Sequence, residues 1–275
     1  MIQDIAPYKL NNEYCPRSFK ESDRVVVFDD KDRILAKCDD GKLEFLHPHD
    51  DCPEALIYLF SIAGFGYYMA DKCERIPDDY SFQTIRQLRD CAGGYELFAA
   101  FTAYHLHRWY SSNRYCGSCG APTEPDTRER ALRCTKCGNI IYPRINPAVI
   151  VGVINEDSIL ITRYKTGYAH NALIAGFTEI GETLEETVER EVMEEAGIRV
   201  RNIRYYKSQP WGMAMDILVG FYCDACDTDI KMDDSELKYA QWTKREDIVL
   251  QPNDLSLTNE MMRMFKEGKI TKVLT

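Results

Sequence analysis

Residues 176–198, with the sequence GFTEIGETLEETVEREVMEEAGI, constrain the fold of this chain more than any other segment. They combine a glycine-containing loop with a strongly acidic helical pattern that ends at a glycine. Glu191 precedes Glu194 and Glu195 by three and four positions, so a helix places all three carboxylates on one face. A solvated acidic face is the ordinary interpretation of such a run. A hard divalent cation is the alternative, because Mg²⁺ and Mn²⁺ prefer carboxylate oxygens and would remove the repulsion between the carboxylates.

The segment also predicts where this helix begins and ends. Thr183 is a good N-cap, and Glu186 stands three positions later, as a capping box requires. Gly197 suits the left-handed conformation that closes a helix. Gly176 and Gly181 allow a tight turn and a close approach of a ligand to the backbone. Three apolar residues recur at helical spacing and are expected to face the core: Leu184, Val188 and Val192.

The segment matches the Nudix box, GX5EX7REUXEEXGU with U bulky and aliphatic, at every defining position. The chain therefore resembles the Nudix hydrolases, which cleave a nucleoside diphosphate linked to another group. The resemblance implies that Glu191, Glu194 and Glu195 bind catalytic Mg²⁺ or Mn²⁺. It also implies that Arg190 orients one of these carboxylates through a forked hydrogen bond. The alternative for Arg190 is a surface ion pair worth about 0–1 kcal/mol.

Two Cys-x-x-Cys pairs, separated by fourteen residues, form a second informative pattern. Their members are Cys116, Cys119, Cys134 and Cys137. A glycine follows each pair, which favours two tight knuckles that hold one tetrahedral Zn²⁺. Four protein ligands leave no open position, so this zinc is predicted to be structural rather than catalytic; four unrelated buried thiols are the alternative. A further match, Cys223-Asp-Ala-Cys226, stands alone in a predicted strand, and a redox or metal role for it stays open.

Composition limits the class of protein. The formal charge of −10 argues against nonspecific binding to nucleic acid or to an anionic membrane. The uncharged run at residues 55–70 is 16 residues long, which favours a buried core segment over a membrane span. The first residues lack the layout of a secretion signal, and the eleven cysteines are then expected to be metal ligands or free thiols rather than disulfides. These observations predict a cytoplasmic protein.

Periodicity predicts an α+β organisation. Alternation at residues 24–28 and 33–36 suggests a small sheet, and residues 95–110 are a helix candidate. After residue 143 the patterns predict strands near 148–154, 158–163, 200–207, 216–223 and 239–243, and a second helix near 257–268. We therefore expect an N-terminal α/β domain (1–112), a zinc ribbon (113–142) and a Nudix domain (143–275). The last is expected to be an α-β-α sandwich, with a mixed sheet between helices.

The order of the motifs narrows the resemblance. The ribbon runs into Tyr142-Pro143-Arg144, and Ser208-Gln209-Pro210-Trp211 begins ten residues after the box. This order resembles the NADH pyrophosphatase family of Nudix hydrolases over the chain beyond about residue 98. The fuller family signature is SQPWPFPxS, whereas this chain continues Gly212-Met-Ala-Met-Asp216. The two prolines, the aromatic residue and the terminal serine are absent, so a strict preference for NADH does not follow from the resemblance.

The resemblance assigns further site residues. Glu236 matches a downstream glutamate that contributes to metal binding or catalysis; an exposed acidic loop is the alternative. Phe177 matches an aromatic residue that stacks on the substrate base, and Tyr142 and Trp211 match residues that enclose the base across a dimer interface. Core packing is the alternative for all three aromatic residues. The remaining substrate-binding positions implied by the resemblance are Ala175, Gly176 and Gln209.

The implied reaction is metal-dependent hydrolysis of the pyrophosphate of NAD(H), giving NMN(H) and AMP, by a homodimer. Removal of the NAD cap from RNA 5′ ends, or hydrolysis of ADP-ribose or another nucleoside diphosphate derivative, is the alternative at the same site. A non-catalytic nucleotide-sensing regulator is less favoured, because such regulators usually have a degraded box. A scaffold role for residues 1–112 stays open. The general base is one of Glu194, Glu195 and Glu236.

Overall fold

The computed structural model describes residues 1–48, 56–166 and 170–271, which form two compact units. One unit contains Ile2–Arg144 and Gly212–Met215; the other contains Met1, Ile145–Trp211 and the chain from Asp216 onward. The division into three domains, with boundaries after residues 112 and 142, stays a prediction.

The unit that contains the N-terminal region is built on a seven-stranded sheet. Its strands are β1 (Leu10–Asn11), β2 (Arg24–Phe28), β3 (Ile34–Asp39), β4 (Lys42–Glu44), β5 (Ile57–Ile62), β6 (Phe65–Ala70) and β7 (Ser81–Gln83). They lie in the order β1-β5-β6-β2-β3-β4, with β7 beside β3. Two helices follow, α1 (Ile85–Cys91) and α2 (Gly94–Ser112). The predicted strands at 24–28 and 33–36 and the predicted helix at 95–110 are confirmed within a few residues.

The uncharged run at 55–70 forms core strands. Ala55 lies outside the described residues, and the rest of the run forms the antiparallel pair β5 and β6. Leu59, Phe60 and Tyr67 are fully buried, as predicted for a core segment. Within the described chain, no helix combines the length and the apolar character that crossing a membrane requires.

The prediction that the cysteines form no disulfide is wrong for one pair. A disulfide joins Cys38 at the end of β3 to Cys91 at the end of α1, and their Cα atoms lie 6.6 Å apart. This spacing is within the range that a disulfide bridges. The two cysteines are separated by 53 positions and belong to no spaced motif, so only the packing of α1 beside β3 reveals the pair.

A three-stranded sheet carries the cysteine pairs. Its strands are β8 (Thr123–Pro125), β9 (Leu132–Cys134) and β10 (Ile140–Ile141), in the order β10-β9-β8. Gly120 and Gly138 have positive φ angles of 71° and 73°, and each follows a Cys-x-x-Cys pair. The predicted tight knuckles are therefore present, because glycine adopts this conformation without strain.

The other unit is a mixed six-stranded sheet between two helices. Its strands are β11 (Asn146–Asn155), β12 (Ser158–Tyr164), β13 (Ile174–Phe177), β14 (Val200–Trp211), β15 (Asp216–Ala225) and β16 (Leu237–Lys244). The order is β14-β15-β11-β12-β16, with β13 also pairing with β11. Strands β11 and β15 are parallel, and the other pairs are antiparallel. Helix α3 (Leu184–Ala196) and helix α4 (Leu257–Lys266) complete the unit.

Strand β11 shows why this sheet is covered on both faces. Val149 and Val151 pack in one buried cluster with Val188 and Val192 of α3. Ile150 packs in a second cluster with the buried side chains of α4. Because successive side chains of a strand point to opposite faces, a continuous apolar run is what a strand between two helices requires. The predicted α-β-α sandwich with a mixed sheet is confirmed.

Candidate active site

Helix α3 has the ends that its sequence predicts. The Thr183 hydroxyl accepts a hydrogen bond from the Glu186 backbone N–H, and the Glu186 carboxylate accepts one from the Thr183 N–H. Gly197 closes the helix with φ 67° and ψ 24°, in the left-handed region. Val188 and Val192 are fully buried, and Leu184 packs against the same cluster. Capping and core packing therefore fix the direction in which the acidic face points.

Arg190 joins the carboxylates of this face. Its guanidinium forks onto Glu182, with Nε 2.6 Å from Oε1 and an Nη nitrogen 2.9 Å from Oε2. The other Nη donates to Glu191 at 2.7 Å and to Glu194 at 3.0 Å. The hydrogen bond from Arg190 lowers the pKa of Glu182 to about 2. Arg190 thus offsets the mutual repulsion of three glutamates. Its forked contact is made with Glu182, a residue that is not among the predicted site residues.

Gly176 lies directly against the Glu191 carboxyl group. A Cβ atom at position 176 would stand 2.0 Å from the Glu191 carboxyl carbon, so any side chain there would force the Glu191 carboxyl group to move. The glycine of the box therefore gives space to a carboxylate of the site. Burial raises the pKa of Glu191, with Glu194 and Glu236 contributing in the same direction.

Glu195 is the most enclosed of the predicted metal ligands, with 4 % of its surface exposed. The Tyr164 hydroxyl lies 3.1 and 3.2 Å from its two carboxylate oxygens, and the backbone of Ala175 also forms a hydrogen bond with it. Burial raises the pKa of Glu195 to about 8. Burial also raises the pKa of Tyr164, so its hydroxyl keeps the proton that it donates.

Glu236 precedes β16, in the loop whose Asp233 N–H donates to Glu195 O at 3.0 Å, and its charge adds to the effect of burial in raising the pKa of both Glu191 and Glu195. Its backbone carbonyl accepts a hydrogen bond of 3.0 Å from the Lys165 N–H. Its side chain is exposed. The structure therefore brings together all four glutamates that the sequence singled out.

The four glutamates supply only oxygen donors, which suits Mg²⁺ or Mn²⁺. The glycine cradle at Gly176 and the contacts to Glu195 hold two of them in place. Their oxygens are less convergent than the thiols of the ribbon. Among the residues that the structure describes, the four cysteines are the one group of at least three potential ligands that all lie within 4.8 Å of one another.

The predicted substrate-binding residues occupy different places. Phe177 is 52 % exposed at the end of β13, and its carbonyl accepts a hydrogen bond from Arg190. Its ring is available to a ligand. Gln209 is fully buried, and its side-chain amide binds Leu255 O and the Leu257 N–H, so it holds the start of α4. Tyr142 belongs to the other compact unit, is 56 % exposed, and donates to Glu129.

Trp211 ends β14 and lies opposite Asp216, the first residue of β15. Asp216 stands where the family signature has its terminal serine. It is buried, with 6 % of its surface exposed, and its Oδ1 has no hydrogen-bond partner. Burial raises the pKa of Asp216 to about 6, and a hydrogen bond with the Asn146 side chain offsets part of that shift.

The ribbon cysteines are arranged for one tetrahedral metal ion. Cys116 Sγ lies 3.7 Å from Cys137 Sγ, and Cys119 Sγ lies 3.4 Å from Cys134 Sγ. Zinc–sulfur bonds of about 2.3 Å in a tetrahedron place the sulfurs about 3.8 Å apart. Backbone N–H groups of Lys136 and Cys137 donate to the Cys134 sulfur and lower its pKa, which favours the thiolate that binds a metal.

The third Cys-x-x-Cys match lacks such an arrangement. Cys223 is buried in β15, as predicted for a strand residue, whereas Cys226 lies beyond its end and is exposed. Burial raises the pKa of Cys223. Neither residue belongs to the thiol cluster of the ribbon.

Known protein families match this chain at both the Nudix box and the four-cysteine ribbon. A family model described as the NUDIX domain matches residues 144–265, and one described as the NADH pyrophosphatase zinc ribbon domain matches residues 111–142. A relative from Enterobacter sp. (strain 638), named NAD-capped RNA hydrolase NudC, is 36 % identical over 238 residues. That match covers 80 % of this chain and 91 % of the relative. A protein of the same name from Klebsiella pneumoniae is 34 % identical over 237 residues, with the same coverage.

A solved structure supports the fold alone. A NUDIX hydrolase from Nitrosomonas europaea superimposes with a TM-score of 0.51 at 22 % identity, covering 59 % of this chain and 96 % of that one. The bacterial relatives show the family as well as the fold, because their identity and coverage are high and this chain has the intact box and the four-cysteine ribbon. This chain is a Nudix hydrolase and belongs to the NADH pyrophosphatase family, with the NudC enzymes.

Proposed function

We propose that this protein hydrolyses the pyrophosphate bond of NAD(H), giving NMN(H) and AMP, with Mg²⁺ or Mn²⁺ bound by Glu191, Glu194, Glu195 and Glu236. The observation that carries the proposal is the placement of these four carboxylates at one site, in a chain that also has the family zinc ribbon: Arg190 binds Glu191 and Glu194, and the charges of Glu191 and Glu236 act on Glu195. Zn²⁺ at the four cysteines is structural in this proposal.

The charge of the chain supports a metal-dependent reaction. A protein with a formal charge of −10 must bind a dianionic pyrophosphate beside several glutamates. Divalent ions there would neutralise the phosphate oxygens and lower the pKa of a bound water. Arg190 holds both Glu191 and Glu194 through one Nη atom, and the exposed Phe177 ring offers a stacking surface for the substrate base. Glu194, Glu195 and Glu236 are the candidates for the general base.

The NAD cap at the 5′ end of RNA is the second candidate substrate. The relatives from Enterobacter and Klebsiella are named NAD-capped RNA hydrolases. The cap contains the same pyrophosphate between the NMN and AMP moieties, so the same carboxylates would serve both substrates. ADP-ribose and other nucleoside diphosphate derivatives remain alternatives, because residues 212–216 depart from the family signature.

Two further parts of the proposal rest on the resemblance. A homodimer would allow Tyr142 of one copy to enclose the base held by the other, and both Tyr142 and Phe177 are more than half exposed. A cytoplasmic location fits the four clustered thiols, because a reducing compartment keeps such thiols available to zinc. The Cys38–Cys91 disulfide is the observation that does not fit this location.

Product analysis tests the reaction. Purified protein with Mg²⁺ or Mn²⁺ is incubated separately with NADH, NAD⁺, ADP-ribose and NAD-capped RNA, and the products are separated by chromatography. We expect AMP with NMNH or NMN, and a loss of rate by orders of magnitude in Glu194→Gln. Glu189→Gln is the matched control, since Glu189 is an exposed glutamate of the same helix. Near-normal turnover in Glu194→Gln would contradict the assignment of the active site.

A further inference from the structure

Tyr164 is a polar residue of the site that the box motif does not contain. It ends β12, where the pairing with β16 shifts register between Arg163 and Tyr164. Leu160, four residues earlier on the strand, packs in the cluster of α3 residues. The Tyr164 side chain is likewise directed toward α3, because its hydroxyl contacts Glu195 of that helix.

The Tyr164 hydroxyl meets the carboxylate of Glu195 nearly symmetrically, at 3.1 and 3.2 Å from its two oxygens. Glu195 has almost no contact with solvent. Without this hydroxyl the Glu195 carboxyl group would rely on its hydrogen bond with the Ala175 backbone, and a buried polar oxygen left without a partner is costly. The hydroxyl therefore fixes the orientation of the carboxylate.

Lys165, the residue after Tyr164, connects the end of β12 to the loop that carries Glu236. The Lys165 N–H donates to Glu236 O at 3.0 Å, and the Lys165 ammonium donates to Asp234 O. The Asp233 N–H in turn donates to Glu195 O at 3.0 Å. One strand end thus contacts both the carboxylate on α3 and the loop that carries Glu236.

We propose that Tyr164 is a positioning residue, which holds the Glu195 carboxylate in the orientation required to bind a divalent cation. This inference rests on the proposed metal-dependent hydrolysis. In this role Tyr164 acts through Glu195, whose carboxyl group its hydroxyl contacts. Hydrogen bonds from outer residues to a metal-binding carboxylate set its orientation, and their loss commonly weakens metal binding by about tenfold or more.

The test is a Mn²⁺ titration of the full chain without substrate, followed by the electron paramagnetic resonance signal of free Mn²⁺. We expect Tyr164→Phe to weaken Mn²⁺ binding by about tenfold or more. Tyr206→Phe is the matched control, because the Tyr206 hydroxyl donates to Glu260 at 3.1 Å in the same unit, away from the four glutamates. It should bind Mn²⁺ as the wild type does. Unchanged binding in a folded Tyr164→Phe variant overturns the proposal.

A double-mutant cycle separates positioning from a general loss of structure. If Tyr164 acts through Glu195, the effect of Tyr164→Phe on Mn²⁺ binding disappears in a Glu195→Gln background. A full effect in that background overturns the proposal. Tyr164→Leu, which also removes the hydroxyl, replaces the Phe variant in both measurements if the latter does not fold.

The outcomes distinguish this inference from the proposed function. Wild-type protein that binds Mn²⁺ but cleaves no dinucleotide or capped RNA contradicts the proposed function alone. Wild-type protein that cleaves NAD(H), with Mn²⁺ binding unaffected by Tyr164→Phe, contradicts the inference alone. Wild-type protein that binds no Mn²⁺ overturns both.

Discussion

Asp216 is buried with one carboxylate oxygen unpartnered, and we expect Asp216→Asn to stabilise the protein at pH 8 more than at pH 4.5. Burial raises the pKa of this carboxyl from 3.8 to about 6. The folded chain then holds the proton to a higher pH than the unfolded chain does. Between about pH 4 and pH 6 the folded state binds more protons, so the free energy of unfolding falls as the pH rises.

The magnitude follows from the size of this shift. A shift of about two pH units corresponds to about 3 kcal/mol, at 1.36 kcal/mol per unit. Roughly two thirds of that change, about 2 kcal/mol, falls between pH 4.5 and pH 8, since the unfolded carboxyl is already partly ionised at pH 4.5. Residual solvent screening lowers the value, and we expect the stabilising effect of Asp216→Asn to grow by about 1–2 kcal/mol over this range. Asparagine does not ionise, so it is free of this dependence.

Urea denaturation followed by circular dichroism measures the effect at both pH values. The wild type and the variant are compared at the same pH, so that changes in other groups, including the zinc thiols, cancel. Asp229→Asn, at an exposed aspartate of the same unit, controls for the loss of one negative charge. An equal stability difference between wild type and Asp216→Asn at pH 4.5 and pH 8 would refute the reasoning.

Two other predictions test the structural role of individual residues. Cys134→Ser should release zinc and lower the melting temperature, because structural zinc contributes directly to folding; retained zinc by atomic absorption with unchanged melting would contradict this. Gly176→Ala should lower kcat by on the order of 100-fold. Its Cβ would stand 2.0 Å from the Glu191 carboxyl carbon and would therefore displace that carboxyl group. Gly93→Ala, where a Cβ meets nothing within 4 Å, should leave kcat unchanged, and equal rates in both variants would refute the steric argument.

The sequence by itself determined the features that depend on neighbouring residues. The capping box of Thr183 and Glu186 and the left-handed Gly197 were predicted, because each involves residues a few positions apart. The same holds for the knuckles of the ribbon and for the continuous apolar run of β11. Family resemblance extended this to Glu236, which lies 38 residues beyond the end of the box and yet is close enough to Glu195 for its charge to raise the pKa of that carboxyl group.

Only the tertiary structure decided which distant groups meet. Tyr164 and Glu195 are 31 positions apart, and their contact depends on the register of β12 and on the face of α3 that packs against the sheet. The Cys38–Cys91 disulfide spans 53 positions. The amide of Gln209, whose role in substrate binding stays a prediction, binds the start of α4, 46 to 48 residues away. Local patterns fix helix ends and ligand spacing. Strand register and packing between elements are cooperative properties of the whole unit, and they determine which partner each buried polar group meets.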